Sequence, residues 1–322
     1  MRRYHQLRRR VLKVPSYHVY DFAIPLVTVD KTYNYDEVLD WIVDAVAPLG
    51  QAYQALMRQG FASRWIDVYE NEGKRSGAYS APVYGIHPYM LLNYTDTLDD
   101  VFTTAHEMGH SMHTILSHET QPFIYSDYTI FVAEVPSTLS EALLLEYMLE
   151  HSTDPTERIV LLQHAIDNIT GTFYTQVMFA DYELRAHRLA EQDQPITAEI
   201  LTETYTQLLK DYYGDAVDLN PFTGITWSRI PHFFNSPYYV YQYATCFASA
   251  AKIARQIMAG GPESGDARER FLTLLRSGGS DYPMELLRKA GVDLSQPDTV
   301  LAVVDQLDGL VSRLEHELDR RT

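Results

Sequence analysis

Apolar residues recur along this chain at the 3.6-residue period of an amphipathic helix, and one stretch near the first third breaks the rhythm. Val38, Leu39, Ile42, Val43 and Val46 predict a first helix. Pro48-Leu49-Gly50 interrupts it, and Ala52, Tyr53, Leu56 and Met57 predict a second. From Glu70 to Thr95 the chain is rich in glycine, tyrosine and proline, with Gly73, Gly77, Pro82, Gly85 and Pro88 as turn punctuation. Between these, Ala78 to Tyr84 and Tyr89 to Tyr94 read as short strands. Helical spacing returns at Thr97. It predicts helices over 98–117, 136–151, 156–191, 197–213, 239–258, 266–277, 284–290 and 298–320. The expected architecture is mainly α, with one small β-sheet just before the helix over 98–117.

With 46% apolar residues over 322 positions, the chain can bury a large core. We read it as one region, 1–322. The net charge of −17 argues against nucleic acid and anionic membranes as partners, because both select basic faces. The exception is the opening MRRYHQLRRR, with five arginines; it reads as the polar face of a helix rather than a binding arm. No apolar stretch is long enough to span a bilayer, and the opening lacks the apolar core of a secretory signal. Cys246 is the single cysteine, so no internal disulfide can form. It sits in the apolar run 244–248 and reads as buried and inert. A cytoplasmic location is the expectation.

The helix over 98–117 carries the chemistry. His106-Glu107-Met108-Gly109-His110 is a His-Glu-x-x-His motif. Residues four apart on a helix share a face and lie about 6 Å apart along the axis. Both imidazoles can therefore reach one metal ion, while Glu107 points to one side where it can hold the attacking water. Leu98, Val101, Phe102, Ala105, Met112 and Ile115 supply the apolar face, and Thr97 with Asp100 predicts a capping box at the start.

A zinc site of this kind needs a third protein ligand. The extended metzincin pattern would place glycine at 113 and histidine at 116; the chain has His113 and Leu116 there. The other solution is a glutamate on a following helix. Glu134 precedes Val135-Pro136-Ser137, and proline suits a first helical turn, so Glu134 would stand near a helix start. On composition alone it is only modestly preferred to Glu119, Glu141 and Glu146. His113 shares the face of His106 and reads as a packed neighbour, with an irregular ligand as the alternative. His118 falls at the helix end, where a histidine interacts favourably with the dipole. Metal-bound histidines usually donate their second N–H to a carboxylate. Asp99, seven residues before His106, and Glu141, seven after Glu134, are the candidates for that outer layer.

The segments GKRSGAYS at 73–80, PYMLLNYTDTLDDVFTTAHEMGHSMH at 88–113 and FVAEVPSTLSEALL at 131–144 resemble the thimet oligopeptidase (M3) family, and within it oligoendopeptidase F. So do IPHFFNSPYYVYQYATCFASA at 230–250 and SGGSDYPMELLRKAGVDL at 277–294. The resemblance implies a zincin-like helical catalytic domain holding one Zn2+ ion, with Glu134 as third ligand. It implies that His232, Tyr238 and Tyr241, with Tyr239 beside them, close on a peptide from a mobile loop; taken without it, those tyrosines read as core packing. Family members are longer chains whose N-terminal part forms one wall of a deep channel, and the match here begins in what looks like their middle. The expectation is the C-terminal catalytic half, with the family's N-terminal lobe absent.

The implied activity is zinc-dependent hydrolysis of peptide bonds in short oligopeptides, with Glu107 as general base and Tyr241 and His232 as oxyanion donors, Tyr238 being the alternative. The strand over 89–94 would pair with an extended peptide, and Gly77 and Ala78 would allow close backbone approach. The alternative is a truncated, inactive half that binds zinc or peptide and works only with a missing lobe or partner chain.

Overall fold

The computed structural model describes residues 1–321. In chain order the helices and strands begin with α1 (Arg2–Leu12), α2 (Tyr35–Ala45) and α3 (Gln51–Ala62). Three strands follow, β1 (Ile66–Tyr69), β2 (Tyr79–Ala81) and β3 (Tyr89–Tyr94). Then come α4 (Leu98–Thr120), the single turn α5 (Phe123–Ser126), α6 (Ile130–His151), α7 (Pro155–Asn168), α8 (Thr175–Glu191) and α9 (Ala198–Tyr213). The chain ends with the short α10 (His232–Asn235), α11 (Tyr241–Met258), α12 (Pro262–Arg276), α13 (Pro283–Lys289) and α14 (Pro297–Asp319). The fold is mainly α with one small sheet, as the periodicity predicts.

The chain forms two compact units. One comprises residues 1–29, 153–244 and 305–322, the other residues 30–152 and 245–304. In the second unit the sheet order is β1-β3-β2. β1 runs parallel to β3 and β2 antiparallel, with Ser80 opposite Met90 and Tyr79 opposite Leu91. Met90, Leu92 and Tyr94 alternate inward along β3, the period-2 signature of a half-buried strand. Because β3 is the central strand, both its edges are taken. The expectation that residues 89–94 pair with a peptide is therefore corrected: the strand beside α4 with an open edge is β2. β1 was missed, since four residues of mixed polarity give little periodic signal.

α4 and α6 pack against each other and hold the core of this unit, with Val101, Met108, Met112, Val135 and Leu139 fully buried. The capping box at Thr97 is present. The Thr97 hydroxyl accepts the Asp100 N–H at 3.3 Å, and Asp100 Oδ2 accepts the Thr97 N–H at 3.0 Å. α6 departs from expectation: it starts at Ile130, so Pro136 lies inside it. Proline forfeits one backbone bond there, but burial of Val132 and Val135 carries the helix upstream of it. The helix expected over 156–191 is divided by a wider π turn at Ile169–Tyr174.

In the first unit, α8 and α9 bury Met178, Phe179, Tyr182, Tyr205 and Leu208 in one cluster that also takes in Val240. The basic opening is α1, and four of its five arginines, Arg2, Arg3, Arg8 and Arg9, bond within the chain. The Arg8 side chain is completely buried. It donates to the Tyr17 hydroxyl at 2.8 Å, the Tyr4 hydroxyl at 3.1 Å and the carbonyls of Asp21, Phe22 and Ile24. Arg3 pairs with Asp308 and Glu315, and Arg9 with Asp218. Among the described residues, no helix is long and apolar enough to cross a membrane.

Candidate metal centre

α4 presents His106 and His110 one turn apart, and α6 brings Glu134 to them. His106 Nε2 and His110 Nε2 are 3.2 Å apart; Glu134 Oε2 lies 3.1 Å from the first and 3.3 Å from the second. Among the described residues these three form the one group of His, Cys, Asp and Glu donors close enough to share an ion. A tetrahedral ion with bonds of about 2.0–2.1 Å holds any two ligand atoms about 3.3 Å apart. The donor triangle therefore already has the edges that zinc requires. Two imidazoles and one carboxylate are also the ligand set of zinc sites that keep a fourth position open for substrate and water.

The close approach has a cause in the backbone. At Gly109 a Cβ would stand 2.7 Å from Ser137 Cα, 2.8 Å from the Pro136 carbonyl oxygen and 2.9 Å from Ser137 N. Only glycine lets α4 meet the α6 backbone at this point. The contact lies between the two histidines' turn and the turn that follows Glu134. Ser137 then donates its hydroxyl to Glu134 Oε2 at 3.0 Å. Sequence reading passed over both Gly109 and Ser137. A small residue within the motif and a hydroxyl one turn past the carboxylate were the available signals.

Glu141 Oε1 lies 2.6 Å from His106 Nδ1. That contact fixes the proton on Nδ1 and leaves Nε2 as the atom facing Glu134 and His110. Asp99 is exposed at the start of α4 and shows no such bond. His113 lies outside the donor group. It is buried and stacked on Tyr128, ring centroids 3.5 Å apart and planes within 9°. The Tyr128 hydroxyl is 3.0 Å from Thr114 Oγ1. His118 packs its ring 5.2 Å from that of Tyr84.

The electrostatics are consistent with a cation site. Burial disfavours charge on His106, but hydrogen bonds with Glu134 and Glu141 outweigh it and hold its pKa well above the ordinary range. Burial would likewise raise Glu134, and the hydrogen bonds from His106 and His110 overcome it and lower it strongly. Both directions say that positive charge is stabilised where the three atoms meet. Glu107 behaves oppositely: burial raises its pKa, with Glu134 adding and the two histidines opposing. Its Oε2 is buried with no hydrogen-bond partner, and the Ser80 backbone of β2 touches the carboxylate. Ser80 and Ser111 join β2 to α4 through their hydroxyls at 2.9 Å.

The profile of Peptidase family M3 matches residues 3–305. The chain belongs to peptidase family M3. Its curated M3 relatives include oligopeptidase PepF of Bacillus subtilis, 40% identical over 99% of this chain and 47% of the relative. They also include an oligoendopeptidase F homolog of Lactococcus lactis, 39% identical over 99% of this chain and 53% of the relative. Among solved M3-like structures, oligoendopeptidase-F of Enterococcus faecium superposes at a TM-score of 0.75 and 33% identity, covering 99% of this chain and 50% of its own. A Chlamydophila abortus structure superposes at 0.89 and 39% identity, over 98% and 52%. The chain thus spans about half the length of the M3 relatives it matches.

Of the remaining candidates, His232, Tyr238, Tyr239 and Tyr241 belong to the first unit. His232 opens α10, and its ring stacks on Tyr239 at 5.4 Å and 18°. Tyr238 is exposed with φ +57°, and Tyr241, also exposed, begins α11. Gly77, at φ +92°, and Ala78 lead into β2 in the second unit, and no atom would meet a Cβ at Gly77.

Proposed function

We propose that this chain is the catalytic part of a zinc-dependent metalloendopeptidase that hydrolyses short oligopeptides. The observation that carries the reading is the donor triangle of His106, His110 and Glu134, with edges of 3.1–3.3 Å, beside a buried carboxylate with a free oxygen. The names of the relatives support peptide substrates. His106, His110 and Glu134 would hold a zinc ion, which when bound would supply Lewis acidity for carbonyl polarisation and water activation.

The chain's own residues do the rest. Glu107 takes the proton of the attacking water at its free Oε2 and delivers it to the departing amine nitrogen. Glu141 holds the His106 ring through Nδ1, and Ser137 holds the Glu134 carboxylate. The open edge of β2 offers main-chain groups to an extended peptide, with Gly77 and Ala78 leaving room for its backbone. His232, Tyr238 and Tyr241 donate to the oxyanion, and Tyr239 contacts substrate; the family likeness of residues 230–250 supports these roles. A cytoplasmic setting belongs to the same reading, consistent with a single buried cysteine.

The test is cleavage of quenched-fluorescent oligopeptides by the purified chain, with a chelator control and Glu107→Gln alongside. Chelator-sensitive cleavage that disappears in Glu107→Gln, with zinc still bound, is the expected result. Turnover retained in Glu107→Gln would refute the general-base role. Zinc bound at one equivalent without cleavage by the unsubstituted chain would leave a zinc- and peptide-binding module instead.

A further inference from the structure

The loop between α10 and α11 carries Tyr238 and Tyr239, and its apex is held from outside. Tyr238 adopts φ +57°, a left-handed conformation that bulky L-residues rarely take. Its backbone N–H donates to Glu183 Oε1 at 2.7 Å. Glu183 lies in the middle of α8, and its residue surface is 4% exposed. A buried carboxylate is costly unless it is hydrogen-bonded, and this one is turned to a loop amide. One turn further along α8, the His187 ring packs on the Tyr238 ring at 4.6 Å and 36°. The same helix therefore grips Tyr238 twice, by backbone and by ring.

The flanks of the loop are secured differently. Phe233 sits among Phe179 and Tyr182 at 5.5 and 5.0 Å, and Val240 is buried in the cluster of that unit. These apolar contacts fix where the loop leaves and rejoins the core but do not dictate a left-handed residue between them. His232, stacked on Tyr239, is next to the apex, so the backbone setting of Tyr238 propagates to three candidate substrate-binding side chains.

We propose that Glu183 is a positioning residue: its buried carboxylate locks Tyr238 in the left-handed conformation and so pre-sets Tyr238, Tyr239 and His232 for the oligopeptide. The inference rests on the substrate role given to this loop above. Freed of the acceptor, the tyrosine would relax towards φ below zero, which turns its phenol away from the direction it now takes.

The test compares Glu183→Ala, which removes the acceptor, with Glu183→Gln, whose amide oxygen can still accept the Tyr238 N–H. Hydrogen exchange at Tyr238 reads the lock directly and needs no activity. Binding of a fluorescein-labelled oligopeptide, followed by anisotropy in the Glu107→Gln background, reads its consequence without turnover. In Glu183→Ala, Tyr238 exchange accelerates and the peptide Kd rises, each by about tenfold, the scale of one charge-assisted hydrogen bond. Where cleavage is measurable, KM rises and kcat falls as well, because Tyr238 and His232 are given contacts to the oxyanion that strengthen in the transition state. Glu183→Gln stays near the unsubstituted chain in all three. Unchanged exchange in Glu183→Ala overturns the lock. Accelerated exchange with unchanged Kd overturns its role in substrate binding. Should Glu183→Ala fail to fold, Glu183→Asp, which withdraws the acceptor by one methylene, carries the same readouts. A silent cleavage assay with the exchange and Kd changes intact counts against the peptidase reading and supports the lock.

Discussion

Substituting Gly109 by alanine tests the reason the metal donors converge. The new methyl carbon would stand 2.7–2.9 Å from three backbone atoms of Pro136 and Ser137. Ordinary carbon contacts lie at about 3.5 Å or more, so α4 and α6 must separate by roughly 0.8 Å. No flexible side chain can absorb this, because the opposing atoms are main chain. Overpacking of this kind costs about 1–3 kcal/mol, and the better helix propensity of alanine returns about 1 kcal/mol. The net loss of stability in the metal-free chain should therefore be small, about 0–2 kcal/mol. The metal site should suffer more. Glu134 rides on α6, so its distances to the two imidazoles, 3.1 and 3.3 Å, would open towards 4 Å, beyond the tetrahedral edge of about 3.3 Å. Zinc affinity should fall at least as far as when a residue that orients a ligand is lost, about 10- to 100-fold. Chelator competition measures the affinity, and thermal melts of the metal-free chain measure stability. Gly309→Ala is the control: nothing lies within 4 Å of a Cβ there, and the exposed position on α14 should gain slightly from alanine. Unchanged zinc affinity in Gly109→Ala would show that the helix contact does not set the donor triangle.

Three further outcomes follow from the packing. Arg8→Ala should destabilise the chain by about 3 kcal/mol or more in denaturant titrations, because it removes the donor shared by two tyrosine hydroxyls and three carbonyls of a buried network and leaves a cavity there; a loss under 1 kcal/mol would mean water replaces the guanidinium. Burial, with the Arg8 charge adding, pushes the His5 pKa down to about 3. The unfolded chain then binds the extra proton between about pH 6.5 and 3, so His5 contributes full stability above pH 6.5 and loses about 1.4 kcal/mol per unit as pH falls through that window. His5→Gln should flatten the acid limb of a melting-temperature profile, and an identical slope would show that His5 charges without cost. Burial likewise raises the Cys246 thiol to about 12, and its Sγ donates to the Phe131 carbonyl at 3.0 Å; iodoacetamide should leave the native chain unmodified and label it fully once denatured.

The sequence by itself determined the helical class, the position of the sheet ahead of α4, and the two histidines and Glu107 of the motif. These are properties of local spacing: a period of 3.6, a capping box at Thr97 and Asp100, and an i, i+4 pair on one face. Between Glu134 and its competitors, local pattern alone decided little, because a ligand 24 residues downstream is placed by packing between helices. Pro136 was read as a helix start because proline favours that position; the buried Val132 and Val135 carry α6 through it instead. β3 carried a clear alternation, but nothing in six residues tells a central strand from an edge, so the role in peptide pairing passed to β2 once the order was known. The polar helix face read from the opening holds for the exposed Arg2, Arg3 and Arg10 but not for Arg8, whose burial depended on tyrosines and carbonyls, several of them from other segments. Glu183 carried no pattern at all, and Gly109 and Ser137 offered only a small residue within the motif and a hydroxyl one turn past the carboxylate. Ser137 reaches Glu134 within its own helix, whereas Gly109 and Glu183 each act through one close contact with a distant stretch of chain, a Cβ that would not fit and a carboxylate on a loop amide, and such contacts exist only when the helices have packed.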